Sequence, residues 1–235
     1  MLKHLPNAMT CCNLLCGCVG IVAAFNNDLL LSSYLIVIAG IFDFFDGFVA
    51  RLVKASSAIG KELDSLADMV TFGVLPSIII YHLILESVPD LPSIWKCYFA
   101  FVIAVFSALR LAKFNIDERQ TSGFIGLPTP ANAFLIASIP VILRQHEDWA
   151  PYILNANYLI VFSFLMSFLL VMEVPLFALK FKGFGWKGNE IKYLFIGISA
   201  VLVILLNFAA MPPIIALYIL LSVINNRSNS VRKTV

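Results

Sequence analysis

Residues 41–70 read IFDFFDGFVARLVKASSAIGKELDSLADMV. Asp43, Asp46, Asp64 and Asp68 stand there inside two of the most apolar stretches of the chain. A carboxylate in hydrocarbon costs on the order of 2.5–3.5 kcal/mol even on the lenient insertion scale, so four of them call for cations. With about 3.6 residues per helical turn, positions 43, 46 and 50 share one stripe and positions 60, 64 and 68 share another. The stretch from Val53 to Ile59 joins the two helices, and antiparallel packing brings the stripes together. Four convergent carboxylates make an oxygen cage suited to a hard divalent ion such as Mg²⁺ or Mn²⁺. Gly47, Ala50 and Gly60 share the acidic faces; they either let helices touch or clear room for a ligand beside the metal. Arg51 alone would read as an interfacial snorkelling residue. Beside four acids it reads as a bidentate phosphate partner. Diphosphate plus divalent metal is the substrate class this chemistry suggests.

The rest of the chain sets that motif in a membrane. Of 235 residues, 60% are hydrophobic and only 13% charged, with 20 Phe; a soluble domain is nearer one quarter charged. Stretches long enough to span number about eight. They run from Thr10 to Phe25, Leu29 to Lys54, Ile59 to Leu85, Ile94 to Phe114, Pro128 to Leu143, Ile153 to Leu179, Ile191 to Phe208 and Pro212 to Ile224. Turn chemistry separates them at Asn26-Asn27-Asp28, at Pro89 to Pro92, from Gly123 to Gly126, from Gly183 to Gly188, and at Met211-Pro212-Pro213. The last two stretches could equally form one re-entrant hairpin. The expected fold is an all-α integral membrane protein, a polytopic bundle of about eight helices in one membrane-embedded domain covering 1–235. With both termini cytoplasmic, 14 of the 16 Lys and Arg fall inside and only Lys96 and Arg144 outside. The motif then lies at the cytoplasmic face of the cell (inner) membrane. Pro6, Asn7 and Asn13 interrupt the first apolar run, so no leader cleavage is expected. Cys11, Cys12, Cys16, Cys18 and Cys97 show no C-x-x-C pair and read as small apolar side chains.

The pattern D-x2-D-G-x2-A-R-x8-G-x3-D-x3-D, present here at every specified position from Asp43 to Asp68, resembles the signature of the CDP-alcohol phosphatidyltransferases. The resemblance implies that Asp43, Asp46 and Asp64 are metal ligands. Asp68 would contribute to the metal site, which would hold two ions, and act as general base. Gly47, Ala50 and Gly60 would border the cytidine and pyrophosphate, and Arg51 would support that pocket. The base would take a proton from an acceptor hydroxyl, the oxygen would attack the β-phosphorus of a CDP-linked lipid, and CMP would leave. A homodimer in the bilayer is implied too, with no nucleic-acid partner.

Further pieces are similar to bacterial and archaeal serine-accepting members of that family: Leu5-Pro6-Asn7 with Thr10, Asn13 and Gly17; Ala108 to Asn115; and Gly123-Phe124 with Gly126 to Ala131. CDP-diacylglycerol and L-serine are the substrates this implies. Arg110 or Lys113 could bind the serine carboxylate, and Asn115 could hydrogen-bond the acceptor; as alternatives they anchor and end a helix. Glycerol-3-phosphate or inositol as acceptor would use the same metal site. Glu173, before Val174-Pro175, reads as an intramembrane carboxylate of the sixth span that bonds backbone freed by Pro175, or else as an interfacial or acceptor-binding group. Two other classes are rivals. Intramembrane prenyltransferases use N-D-x-x-D-x-x-x-D, but Phe42 and Ala50 occupy two of those places. A cation-coupled transporter would show broken helices and paired repeats, which the sequence does not suggest.

Overall fold

The computed structural model describes residues 4–53, 57–88, 91–117, 123–177, 185–186 and 189–233. Lys3, Lys54, Pro89, Asp90, Arg119, Leu179, Lys180, Lys182, Gly183, Lys187 and Gly188, which enter the reading of spans and orientation, lie outside the described residues. Helix α1 (Leu5–Phe25) and α2 (Leu29–Leu52) form a tight hairpin. Asn27 turns the chain with φ of 61°, a conformation Asn tolerates better than most residues. Asp28 caps α2 by accepting the Leu31 N–H at 2.9 Å, satisfying one of the free donors of the first turn.

Ser57 caps α3 (Ala58–Asp68) in the same way, accepting the Gly60 N–H at 3.1 Å. Helix α3 passes through a π-helical turn, Met69–Val74, into α4 (Leu75–Ser87). The result is a 30-residue rod, the most buried of the candidate spans. A 3₁₀ segment, Leu91–Phe101, leads into α5 (Val102–Ile116); then come β1 (Gly123–Ile125), α6 (Thr129–Gln145), α7 (Ala150–Ile153), α8 (Ala156–Val171) and β2 (Pro175–Phe177). Helices α9 (Glu190–Leu206) and α10 (Met211–Lys233) follow, separated by a 3₁₀ turn, Asn207–Ala210.

Phe72, Leu75, Ile79, Ile80, Leu83 and Ile84 of the central rod bury against Ile36 and Ala39 of α2, Ile103 of α5 and Ile136 of α6. Small residues set the approach: a Cβ on Gly20 would come within 2.5 Å of the Leu75 side chain, and one on Gly40 would collide with the Phe134 ring. This is the small-residue packing of membrane bundles, where apolar burial alone does not drive helices together. A second cluster, Leu127, Leu135, Met166, Leu176, Phe195, Ile215 and Tyr218, ties α6, α8 and β2 to α9 and α10. Large side chains such as Phe25, Tyr158 and Ile204 remain exposed, as a lipid-facing surface requires.

One expectation holds only in its coarser form, and two change. Helices stand where the apolar stretches were read, but among the described residues five are long and apolar enough to cross a membrane, or six if the bent pair around Asn155 counts as one span. Helix α6 has 17 residues and α8 has 16, short of a full crossing at 1.5 Å per residue. The sixth expected span, α8, ends at Val171 and not near Leu179, because Pro175 has no N–H to continue it. Pro175 instead opens β2, which pairs antiparallel with β1 in the register Gly123↔Phe177, Phe124↔Leu176 and Ile125↔Pro175. Glu173 is therefore an exposed residue between α8 and β2, not a member of a span. Finally, the last turn falls at Asn207, with φ of 49°, and Pro212 and Pro213 sit inside the first turn of α10, where a missing N–H is harmless.

Candidate active site: a buried carboxylate cluster

Asp43 from α2 and Asp64 and Asp68 from α3 each place one carboxylate oxygen so that all three lie within 4.8 Å of one another. At that separation like charges repel by about 3 kcal/mol per pair at an effective dielectric near 20. A divalent cation among them reverses the sign of that energy. The donor set, hard oxygens from three carboxylates, fits Mg²⁺-type ions.

Asp46 does not join this trio. It is buried, its Oδ2 accepts the Thr10 hydroxyl at 2.7 Å, and it stands near enough to Asp43 and Asp64 for their charges to interact. Asn13 Nδ2 donates to Asp68 Oδ1 at 3.3 Å, while Asn13 Oδ1 is buried with no partner. A partnerless oxygen beside a carboxylate cluster is a further group suited to a cation or a water on it. Thr71, inside the π-helical turn, donates to the Asn13 carbonyl at 3.1 Å. The turn thus begins one residue after Asp68 and locks its helix to α1.

The third wall is the part that reasoning from the Asp motif missed. Asn7, Thr10, Asn13, Gly17 and Gly20 form one stripe of α1. In that order they meet Gly60, Asp46, Asp68, Thr71 and Leu75. Polar and small residues three to four apart in an otherwise apolar helix were the available signal. Gly47 faces open space, with nothing within 4 Å of a built Cβ, whereas a Cβ on Gly60 would press on Ser57 Oγ and Asn7 Oδ1 at 3.0 and 3.1 Å. Room for a ligand is thus visible at Gly47, and close packing at Gly60. Ala50 is half-buried and Arg51 is exposed in the last turn of α2.

On α5, Arg110 is buried, donates to the Thr129 hydroxyl at 3.4 Å and lies over the Phe114 ring, 5.3 Å from its centre. It lies near enough to Asp68 for their charges to interact. Lys113 is exposed one turn on. Asn115 bridges helices: its Nδ2 donates to Ser65 Oγ at 2.9 Å, and its carbonyl accepts Lys61 Nζ at 2.8 Å.

Fold and site together define a helical membrane protein whose polar heart is a carboxylate cage compatible with a divalent metal. The chain belongs to the CDP-alcohol phosphatidyltransferase family, whose family model matches residues 3–176. Among curated proteins it is 38% identical over 130 residues to the CDP-diacylglycerol–serine O-phosphatidyltransferase of Bacillus subtilis, covering 55% of this chain and 71% of that protein. It is 37% identical over 133 residues to the Helicobacter pylori protein of the same name, covering 56% and 54%. Against the Mycobacterium leprae protein of that name it is 31% identical over 182 residues, covering 74% and 58%. The chain thus spans little more than half the length of the last two relatives.

Proposed function

We propose that this protein transfers the phosphatidyl group of CDP-diacylglycerol to the hydroxyl of L-serine, giving phosphatidylserine and CMP. The observation that carries the reading is the convergence of Asp43, Asp64 and Asp68 within 4.8 Å beside open space at Gly47. Bound there, with Asp46 completing the set, two Mg²⁺ or Mn²⁺ ions would neutralise the diphosphate oxygens and the departing CMP. Gly47 and Ala50 leave room for the nucleotide, Gly60 closes its border, and Arg51 reaches a phosphate from the helix end. Asn13 fixes the Asp68 carboxylate by one oxygen and leaves the other to take the proton of the acceptor hydroxyl. The oxygen so released attacks the β-phosphorus, the bond to CMP breaks, and the serine–phosphatidyl bond replaces it. Arg110 and Lys113 hold the acceptor, and Asn115 secures the α3–α5 junction beside them.

The same reading sets the protein in the cell (inner) membrane as one domain, with eight crossings, both termini and the site cytoplasmic, and two copies forming a dimer. Hydropathy and the bias of Lys and Arg support that topology. The test is CMP release by the purified protein with CDP-diacylglycerol and Mg²⁺ or Mn²⁺, comparing L-serine, glycerol-3-phosphate and inositol. Release that depends on L-serine is expected. Release with another alcohol only would overturn the acceptor, and none with any would overturn the reaction.

A further inference from the structure

Arg110, Lys113, Asp117 and Glu173, with Ile125 and Leu170, line a cavity of about 20 Å³ where α5, the β-ribbon and the end of α8 meet. That volume takes one water-sized group, the size of an ammonium. Opposite charges around a shared cavity ordinarily pair. Here neither Arg110 nor Lys113 makes an ion pair with Glu173 among the described residues, and Arg110 Nε is buried without a partner. The backbone flanking Glu173 is nevertheless held in place. Gly126 N–H donates to the Val174 carbonyl at 3.1 Å and Leu127 N–H to the Leu169 carbonyl at 2.8 Å, on either side of it.

We propose that this cavity seats the ammonium of an amino-acid acceptor on Glu173, with Arg110 and Lys113 at its wall receiving the carboxylate outside it. The inference rests on the serine reading above. Arg110 lines this cavity and is near enough to Asp68 for their charges to interact, so the acceptor's charged end and the base share one cation. A zwitterion satisfies both signs at once. A phosphate dianion would meet the carboxylate of Glu173, so that residue disfavours glycerol-3-phosphate. Glu173 then determines specificity and has no part in the chemical step.

The test compares the full-length wild-type protein with Glu173→Gln. The KM for L-serine should rise about tenfold or more, the usual worth of a hydrogen bond to a charged group, with kcat changed far less and CDP-diacylglycerol binding retained. Inhibition by 3-hydroxypropionate, which lacks the ammonium, should be unchanged. If Glu173→Gln does not fold, Glu173→Asp keeps the charge but shortens its reach, and should raise the serine KM without altering that inhibition. An unchanged serine KM in a folded variant, or an equal loss for both compounds, overturns the proposal. Absence of serine-dependent CMP release from the wild type would instead sink the reading on which it rests.

Discussion

Asp68 is held by its own helix and by Asn13 of α1 at 3.3 Å, with Arg110 near enough for the two charges to interact. Removing its charge while keeping its shape separates binding from chemistry. Asp68→Asn should lower CMP release by at least about 10²-fold, the usual range for a general base, with CDP-lipid binding largely kept. Normal turnover would remove Asp68 from the base role. Asp43→Asn should weaken the metal dependence of CDP-lipid binding as well as the rate, and a metal titration identical to wild type would overturn its place as a ligand. The carboxylates were legible because four acids in hydrocarbon have no bland explanation. The grouping was less so: the equal spacing of Asp43 and Asp46 does not tell which one Thr10 takes, since that depends on how a third helix docks.

At the scale of elements, the hydropathy stretches located the helices, but their ends obey capping and proline chemistry that hydropathy averages away. The β-ribbon was invisible for a different reason: three residues per strand leave no period to read. The glycine-rich stretch after α5 shows its purpose only in three dimensions. Gly126 adopts φ of 77°, and a Cβ there would strike the Leu170 carbonyl, so both backbone freedom and close approach require glycine. Gly126→Ala should destabilise the protein by about 1–3 kcal/mol. Thermal unfolding in detergent reads this, and an unchanged midpoint would contradict the strain argued from its φ. The π-helical turn after Asp68 likewise escaped the sequence, because nothing in Met69–Val74 breaks the helical pattern. Its sign in the structure is Thr71 reaching the Asn13 carbonyl.

For the whole molecule, the testable quantity is orientation. In a variant with all five cysteines replaced, Arg144→Cys should react with a membrane-impermeant maleimide on intact cells, and Lys61→Cys only after permeabilisation. The opposite pattern would invert the topology. Arg144 suits this probe because it is exposed at the end of α6, engaged only in a weak surface pair with Glu147. The number of crossings was the least legible property, since α6 and α8 are too short, and the α9–α10 run too long, for a count by length to resolve.

The outer edge of β2 is covered by side chains of α10. Tyr218 donates to the Phe177 carbonyl at 2.9 Å, Phe177 N–H donates to Ser222 Oγ at 3.4 Å, and Asn226 donates to the Pro175 carbonyl. No third strand is needed, and the consequence concerns time. Phe177 leaves the ribosome 41 residues ahead of Tyr218, a delay of roughly 2–8 s at ordinary rates of synthesis. Until α10 is made, the Phe177 N–H and the carbonyls of Pro175 and Phe177 have no partner from that helix, so the ribbon's edge is covered last although the carboxylate cage, complete by α3, is made first.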